Sequence, residues 1–134
     1  MKQARTISSS PTERAAFDFR EQARSLGEVV TFGTGKSIFS AGDDATDMYV
    51  VLTGAVEIMS HGKVIECMEP GDAFGIISLL DGQPRSAAAI AAADSELAVL
   101  SDKRFRFMIE ETPSFVWYVM SALVSRLRAT NAAL

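Results

Sequence analysis

The chain has 134 residues, of which 48% are hydrophobic and 22% are charged, and its formal net charge is −4. This length and composition predict one folded domain with a sizeable core and exclude a disordered chain. The acidic balance disfavours a surface for nucleic acid or an anionic membrane. No apolar run reaches the ~20 residues of a membrane-spanning helix, and the first residues lack the apolar segment of a signal peptide. The one cysteine, Cys67, cannot form an internal disulfide, so we expect a cytoplasmic protein.

The first part of the chain predicts a tail and a short helix. Residues 1–11 are polar and rich in serine, as expected of a flexible tail. From Thr12 to Ser25, helix-forming residues present one apolar face, and Gly27 follows where helices commonly end in a left-handed glycine. We therefore expect a single domain over residues 12–134.

The middle of the chain changes to short runs of β-branched, aromatic and other apolar residues separated by glycines. These runs are Val29–Phe32, Ser37–Phe39, Met48–Leu52, Ala55–Met59, Val64–Met68, Ala87–Ala92 and Glu96–Leu100. Strands of this length with a turn about every 8–12 residues predict a mainly β fold, an antiparallel sandwich or barrel. Alternation predicts that Val50 and Leu52 share one face, as do Val56 and Ile58.

Two glycine turns interrupt these runs. Ser60–Lys63 predicts a tight hairpin because Gly62 permits a positive φ, and Leu52–Ala55 predicts a second hairpin at Gly54.

Two helices are predicted at the end of the chain. Asp102 is expected to cap the first, which runs to about Glu111 with an inner face of Phe105, Met108 and Ile109. Thr112 and Pro113 interrupt the pattern, and residues 114–134 form the longest periodic segment.

That last helix carries two apolar stripes. A heptad seam contains Val116, Met120, Leu123 and Leu127, and a second stripe of Phe115, Val119 and Ala122 runs beside it. One stripe can pack on the domain while the other meets a partner, so we expect a homodimer joined through residues 114–134, with Trp117 at or near the seam. The alternative is that both stripes pack on the domain itself.

The segment from Phe74 to Ala88 predicts an anion site. It combines a freely rotating glycine, a short helical turn and an arginine placed after a Gly-Gln-Pro turn. A helix N-terminus offers unpaired N–H groups, and Arg85 adds a fork that can bond two phosphate oxygens. The candidate ligand-binding residues are Phe74, Gly75, Ile76, Ile77, Ser78, Arg85, Ser86 and Ala87.

Several motifs in register resemble the cyclic nucleotide-binding domain family. They are Ile38–Asp43, Met48–Ile58, Glu69–Gly75 and Leu79–Ala87, and the resemblance extends over residues 12–127. It implies a jelly-roll-like β-roll of about eight strands, with one helix before it, a short helix inside the phosphate-binding segment and two helices after it. It further implies a non-catalytic regulatory domain whose ligand is cAMP, cGMP or another phosphate-bearing small molecule, with no cofactor besides that ligand.

Ile76 departs from the family pattern. The family places a glutamate directly after the Phe-Gly pair, where its carboxylate accepts a hydrogen bond from the ribose 2′-hydroxyl. Isoleucine cannot accept that bond, and losing a charged hydrogen bond lowers affinity by about 10- to 150-fold. The resemblance therefore predicts weak nucleotide binding, and it leaves open a degenerate domain that serves as a protein interaction or dimerisation module.

Other reactive or charged residues carry no predicted site. One histidine, His61, sits on a hairpin tip, so neither a catalytic pair nor a metal site is expected. Cys67 is expected to be a buried thiol within an apolar strand. The basic residues of the last two helices are expected on solvated faces: Lys103, Arg104, Arg106, Arg126 and Arg128. No helix-turn-helix follows the long helix in this sequence, so no DNA-binding element is expected in it.

Overall fold

Two four-stranded antiparallel sheets carry the fold in the computed structural model, which describes residues 18–132. The strands are β1 Glu28–Phe32, β2 Ser37–Phe39, β3 Asp47–Thr53, β4 Val56–Ser60, β5 Lys63–Met68, β6 Ala73–Phe74, β7 Ala88–Ala91 and β8 Ser95–Ser101. The helices are α1 Arg20–Leu26, α2 Ile77–Asp81, α3 Asp102–Glu111 and α4 Pro113–Ala132. One sheet has the order β1-β8-β3-β6 and the other β2-β7-β4-β5. The predicted β-roll with flanking helices is confirmed.

Strand β3 separates two hydrophobic clusters. Met48, Val50 and Leu52 lie in a cluster shared with the helices, whereas Val51 lies in a cluster that contains residues of both sheets. This follows from the two-residue period of a strand, which sends neighbouring side chains to opposite faces. The prediction that Val50 and Leu52 lie on the same face of the strand is confirmed.

The cluster between the sheets is formed by the inner faces of both. Val56 and Ile58 of β4 share it, as predicted, together with Met68 of β5 and Leu97 of β8. Cys67 lies between two inward positions of β5 and pairs with Glu57 on the other face, so its thiol is exposed. The expectation of a buried thiol was wrong because the strand alternation places this residue outside.

One of the two predicted hairpins is present in the structure, and the other is not. The β4–β5 hairpin is confirmed, with positive φ at both His61 and Gly62. The turn at Gly54 is no hairpin, since β3 and β4 belong to different sheets and the turn carries the chain from one to the other. A side chain at Gly54 would collide with Ser95, so only glycine fits this crossing.

Helix ends show two small differences from the sequence prediction. The hydroxyl of Ser101 accepts from the backbone N–H of Arg104 at 3.2 Å, so the cap of α3 lies one residue before Asp102. Gly27 follows α1 with an extended φ of −103°, where a left-handed residue was expected. A glycine is needed at this position because a side chain would not fit: a Cβ there would lie 2.7 Å from the carbonyl oxygen of Val99.

Parts of two predictions fall outside the described residues. They are the tail over residues 1–11 and the beginning of the first helix over residues 12–17. Among the helices between residues 18 and 132, none is long and apolar enough to cross a membrane.

Candidate functional site

Arg85 is buried at the end of the segment that leads from α2 to β7, with 5% of its surface exposed. Its Nη1 donates to the carbonyl oxygen of Gly75 at 2.7 Å, and its Nη2 donates to the carbonyl oxygen of Asp47. The guanidinium carbon lies 4.2 Å from the ring centroid of Phe39, within cation–π range. These contacts fix the plane of the guanidinium against the barrel wall.

The backbone around Arg85 is also held in place. Its N–H donates to the carbonyl oxygen of Asp43 at 2.8 Å, and its own carbonyl accepts from Gly42 at 2.7 Å. The 38–43 turn and the phosphate-binding segment are therefore joined by two backbone hydrogen bonds. The carboxylate of Asp43 closes its own turn by accepting from the Ser40 N–H at 2.9 Å.

No carboxylate among residues 18–132 lies within ion-pair distance of Arg85. None of the ion pairs among residues 18–132 includes it, and its Nε is buried without a hydrogen-bond partner in that range. Burial lowers the pKa of Arg85, yet an arginine stays charged in proteins. Asp47 and Asp43 favour the charged form from beyond ion-pair distance, and an anion bound directly to the guanidinium would further offset the cost of burying this cation.

A small cavity adjoins Arg85. Seven of the eight predicted ligand residues line it: Gly75, Ile76, Ile77, Ser78, Arg85, Ser86 and Ala87. Phe74, the eighth, packs between the sheets with its ring stacked on Tyr49 at 5.2 Å between centroids. The cavity measures about 30 Å³, which is roughly the share of one water molecule in the liquid. Three lining residues were missed by the sequence analysis, namely Phe39, Ile58 and Arg126.

Ile76 belongs both to this cavity and to the packing of the last helix. It is 3% exposed and lies in the cluster that contains residues of β3, β8 and all four helices. Ala122 and Leu123 of α4 pack against that cluster and, with Ile76, line a second small cavity beside the first. The apolar side chain of Ile76 therefore forms part of the surface against which α4 packs.

Polar contacts also fasten α4 to the roll. The Tyr118 hydroxyl donates to the carbonyl oxygen of Gly71 at 2.7 Å. Arg126 forms an ion pair with Glu66 of β5, with 3.7 Å between Nε and Oε1, and its side chain is 22% exposed. The expectation that Arg126 lies on a solvated face was wrong, because the helix turns this position toward the barrel.

Comparison with known proteins assigns the family. A model of the cyclic nucleotide-binding domain matches residues 29–112, which span the strands and the phosphate-binding segment. The chain belongs to the cyclic nucleotide-binding domain family.

The relatives of this domain include bacterial regulators and effectors. The chain is 32% identical to the cyclic AMP receptor protein of Thermus thermophilus, over 75% of this chain and 49% of the relative. It is 28% identical to the Pycsar effector protein XpPycTIR of Xanthomonas perforans, over 81% of this chain and 36% of the relative. The crystal structure of the Thermus thermophilus catabolite activator protein superposes with a TM-score of 0.72 at 31% identity, covering 84% of this chain and 55% of that one. The chain thus spans about a third of the length of the Xanthomonas relative and about half of the length of the Thermus relative.

Proposed function

We propose that this chain is a non-catalytic sensor domain that binds a cyclic nucleotide through Arg85. The observation that carries the proposal is the buried guanidinium, which is held by two backbone carbonyls and has no carboxylate within ion-pair distance among the described residues. A cyclic phosphate would supply that anion and accept charge-assisted hydrogen bonds from the fork. The exposed hydroxyl of Ser86 lies next in the chain and lines the same cavity.

The ribose subsite is proposed to be weak. Ile76 lines the cavity and its side chain cannot accept a hydrogen bond, so a ribose hydroxyl placed there would lose its hydrogen bonds to water without a replacement. We expect an affinity about 10- to 150-fold below that of a site with a carboxylate at this position.

Ligand binding would be relayed through α4. The cavity at Arg85 is far smaller than the roughly 300–1,000 Å³ typical of ligand pockets. Arg126 of α4 lines it, so we expect this helix or the phosphate-binding segment to move when a nucleotide enters. Such coupling turns binding into a shift between two helix positions.

Isothermal titration with cAMP and cGMP tests the proposal. We expect saturable binding of at least one nucleotide by the unaltered chain and loss of most of it in Arg85→Ala. Arg106→Ala is the matched control, because Arg106 lies exposed on α3 and pairs with Asp102. The absence of binding of either nucleotide at millimolar concentration would overturn the proposal.

A second candidate function is a protein interaction module without nucleotide. It is favoured by the burial of Ile76 against α4 and by the small volume at Arg85. The same titration separates the two candidates, since a module of this kind shows no heat with either nucleotide.

The partner surface is proposed to be the outer stripe of α4, which would join two copies of the chain. Four of its apolar side chains are between 48% and 60% exposed: Trp117, Met120, Val124 and Leu127. Their spacing of three and four residues is that of a helix–helix seam. Leu123, assigned to the seam from sequence, packs against the domain core, and Val124 takes its place on the outer face.

A further inference from the structure

Glu66 carries a carboxylate on the inner face of the roll. It lies directly opposite Ile58 in the antiparallel β4–β5 ladder, and opposite residues project their side chains to the same face. Ile58 lines the Arg85 cavity. Glu66 lines the neighbouring cavity, which shares Ile76, Ile77 and Arg126 with the first. The carboxylate therefore borders the same cleft as the guanidinium of Arg85.

One oxygen of the Glu66 carboxylate has no hydrogen bond to any residue between 18 and 132. Its side chain is 14% exposed, and its Oε1 is buried without a hydrogen-bond partner among residues 18–132. Arg126 lies 3.7 Å away, close enough to compensate charge and too far for a normal hydrogen bond. A buried acceptor without a donor is unfavourable, so a ligand that brought N–H groups to this carboxylate would be favoured.

We propose that Glu66 is the specificity-determining residue of the nucleotide site and that it selects guanine over adenine. This inference rests on the proposed function, because it assumes that a cyclic nucleotide occupies the cleft with its phosphate on Arg85. Among the described residues lining the two cavities, Glu66 is the one carboxylate. It is therefore the group in the cleft that can accept two hydrogen bonds as an anion.

The preference follows from the edges of the two bases. Guanine presents N1–H and the N2 amino group side by side, and an ionised carboxylate accepts from both. Adenine presents one amino donor beside the N1 acceptor, which would face a carboxylate oxygen and repel it. Bidentate pairs of this kind discriminate between bases by about 5- to 150-fold.

Arg126 acts as the positioning residue for this carboxylate. It approaches from α4. Among the described residues, the other titratable groups that line a cavity together with Glu66 are Cys67, Asp72 and Tyr118. Arg126 favours the ionised form of Glu66, while burial and Asp72 favour the protonated form. A protonated carboxyl offers one donor and one acceptor, so the guanine preference requires the ionised form of Glu66, which Arg126 favours.

Titration of the whole chain and of Glu66→Gln with cGMP and cAMP tests the inference. We expect the unaltered chain to bind cGMP about 5- to 150-fold more tightly than cAMP. We expect Glu66→Gln to reverse the ratio, because an amide offers the donor and acceptor that adenine needs. Glu57→Gln is the matched control, since Glu57 lies on the other face of β4, and its ratio should equal that of the unaltered chain.

The outcomes separate this inference from the proposed function. If both nucleotides bind and Glu66→Gln leaves their affinity ratio unchanged, the assignment of Glu66 is overturned while the proposed function stands. If neither nucleotide binds, both are overturned. As the pH is lowered, the carboxylate of Glu66 becomes protonated and the cGMP preference should be lost. In Arg126→Gln this loss should occur at a higher pH than in the unaltered chain, because the carboxylate no longer has a cation beside it. An unchanged pH profile would contradict the positioning role of Arg126.

Discussion

The guanidinium of Arg85 occupies the space that the missing side chain of Gly75 leaves open. A Cβ at position 75 would lie 3.0 Å from Nη1 of Arg85, and φ at Gly75 is +78°. The glycine thus serves the arginine in two ways: it adopts a left-handed backbone, and it offers its carbonyl oxygen to Nη1 at 2.7 Å.

Gly75→Ala should therefore weaken nucleotide binding as well as stability. The left-handed backbone costs alanine about 1–2 kcal/mol, and the methyl group must also displace Arg85. Gly62→Ala is a matched control, since Gly62 has a φ of +76° and open space around its Cβ position. We expect similar losses in thermal unfolding temperature from the backbone cost, with a further loss of nucleotide affinity confined to Gly75→Ala. Equal affinity in both variants would show that Gly75 does not position Arg85.

Ile76→Glu should create a ribose contact at a cost in stability. The carboxylate would regain the 2′-hydroxyl, so cAMP should bind about 10- to 150-fold more tightly than 2′-deoxy-cAMP. The unaltered chain should bind the two ligands nearly equally. Because Ile76 is 3% exposed in the helix-facing cluster, we expect a lower unfolding temperature without ligand.

Val29→Glu provides the control for that experiment. Val29 is 40% exposed on β1 and lines neither cavity at the site, so its substitution should change neither the preference for ribose nor the unfolding temperature by much. Undetectable binding of cAMP and cGMP by Ile76→Glu would favour the interaction-module function.

Charge on the outer stripe of α4 should dissociate the proposed dimer. Val124→Glu and Leu127→Glu place a carboxylate in an apolar contact, and light scattering at tens of micromolar should give the mass of one chain. Leu123→Glu should instead lower the unfolding temperature, because Leu123 packs on the core.

Phe107→Glu is the control for the dimer experiment. Phe107 is 54% exposed on α3, so the same change of apolar to acidic residue lies outside the stripe and should leave the mass at two chains. A single-chain mass for the unaltered protein would refute the dimer.

The stability difference between Glu66→Gln and the unaltered chain should depend on pH. Burial, opposed by Arg126, raises the pKa of Glu66, so the folded state holds this proton more tightly than the unfolded chain. The contribution of Glu66 to stability is then largest at low pH and falls as pH rises from about 4.3, the unfolded value, through the raised pKa of the folded state. Glutamine does not titrate, so the Glu66→Gln variant lacks this pH-dependent contribution to stability.

Urea unfolding between pH 4 and pH 8 measures this effect. The free energy of unfolding of Glu66→Gln, relative to the unaltered chain, should increase across the lower part of that range and then level off. Glu57→Gln gives the effect of the same substitution on the opposite face. A relative stability that stayed constant with pH would contradict the raised pKa of Glu66.

Much of the fold follows from local signals. The strand runs, the Gly62 turn and the break at Pro113 each depend on neighbouring residues, and the structure has them within one or two positions. The short strand β6 has no such signal. Its two residues, Ala73 and Phe74, are a strand because Tyr49 and Val50 of β3 offer them a partner.

The candidate site also contains residues that a local sequence pattern could predict and residues that it could not. Gly75 and Arg85 could be predicted from the sequence, because both belong to one local pattern. That pattern is a glycine, a short helical turn and an arginine after a Gly-Gln-Pro turn. Glu66 and Arg126 could not be predicted, because they are 60 residues apart in sequence and meet only when α4 packs across β5. A charged residue at an inward position of an apolar strand is the one signal that could have indicated Glu66.

The sequence by itself determined that α4 has two apolar stripes, because hydrophobic periodicity is a property of the helix alone. Tertiary structure alone decided which stripe is buried. Phe115 and Val119 face the core, while Met120 and Val124 face outward, since the rotation of a helix about its axis depends on the shape of the surface against which it packs. The same rotation turned Arg126 toward Glu66 and so placed a charge pair at the edge of the Arg85 cleft.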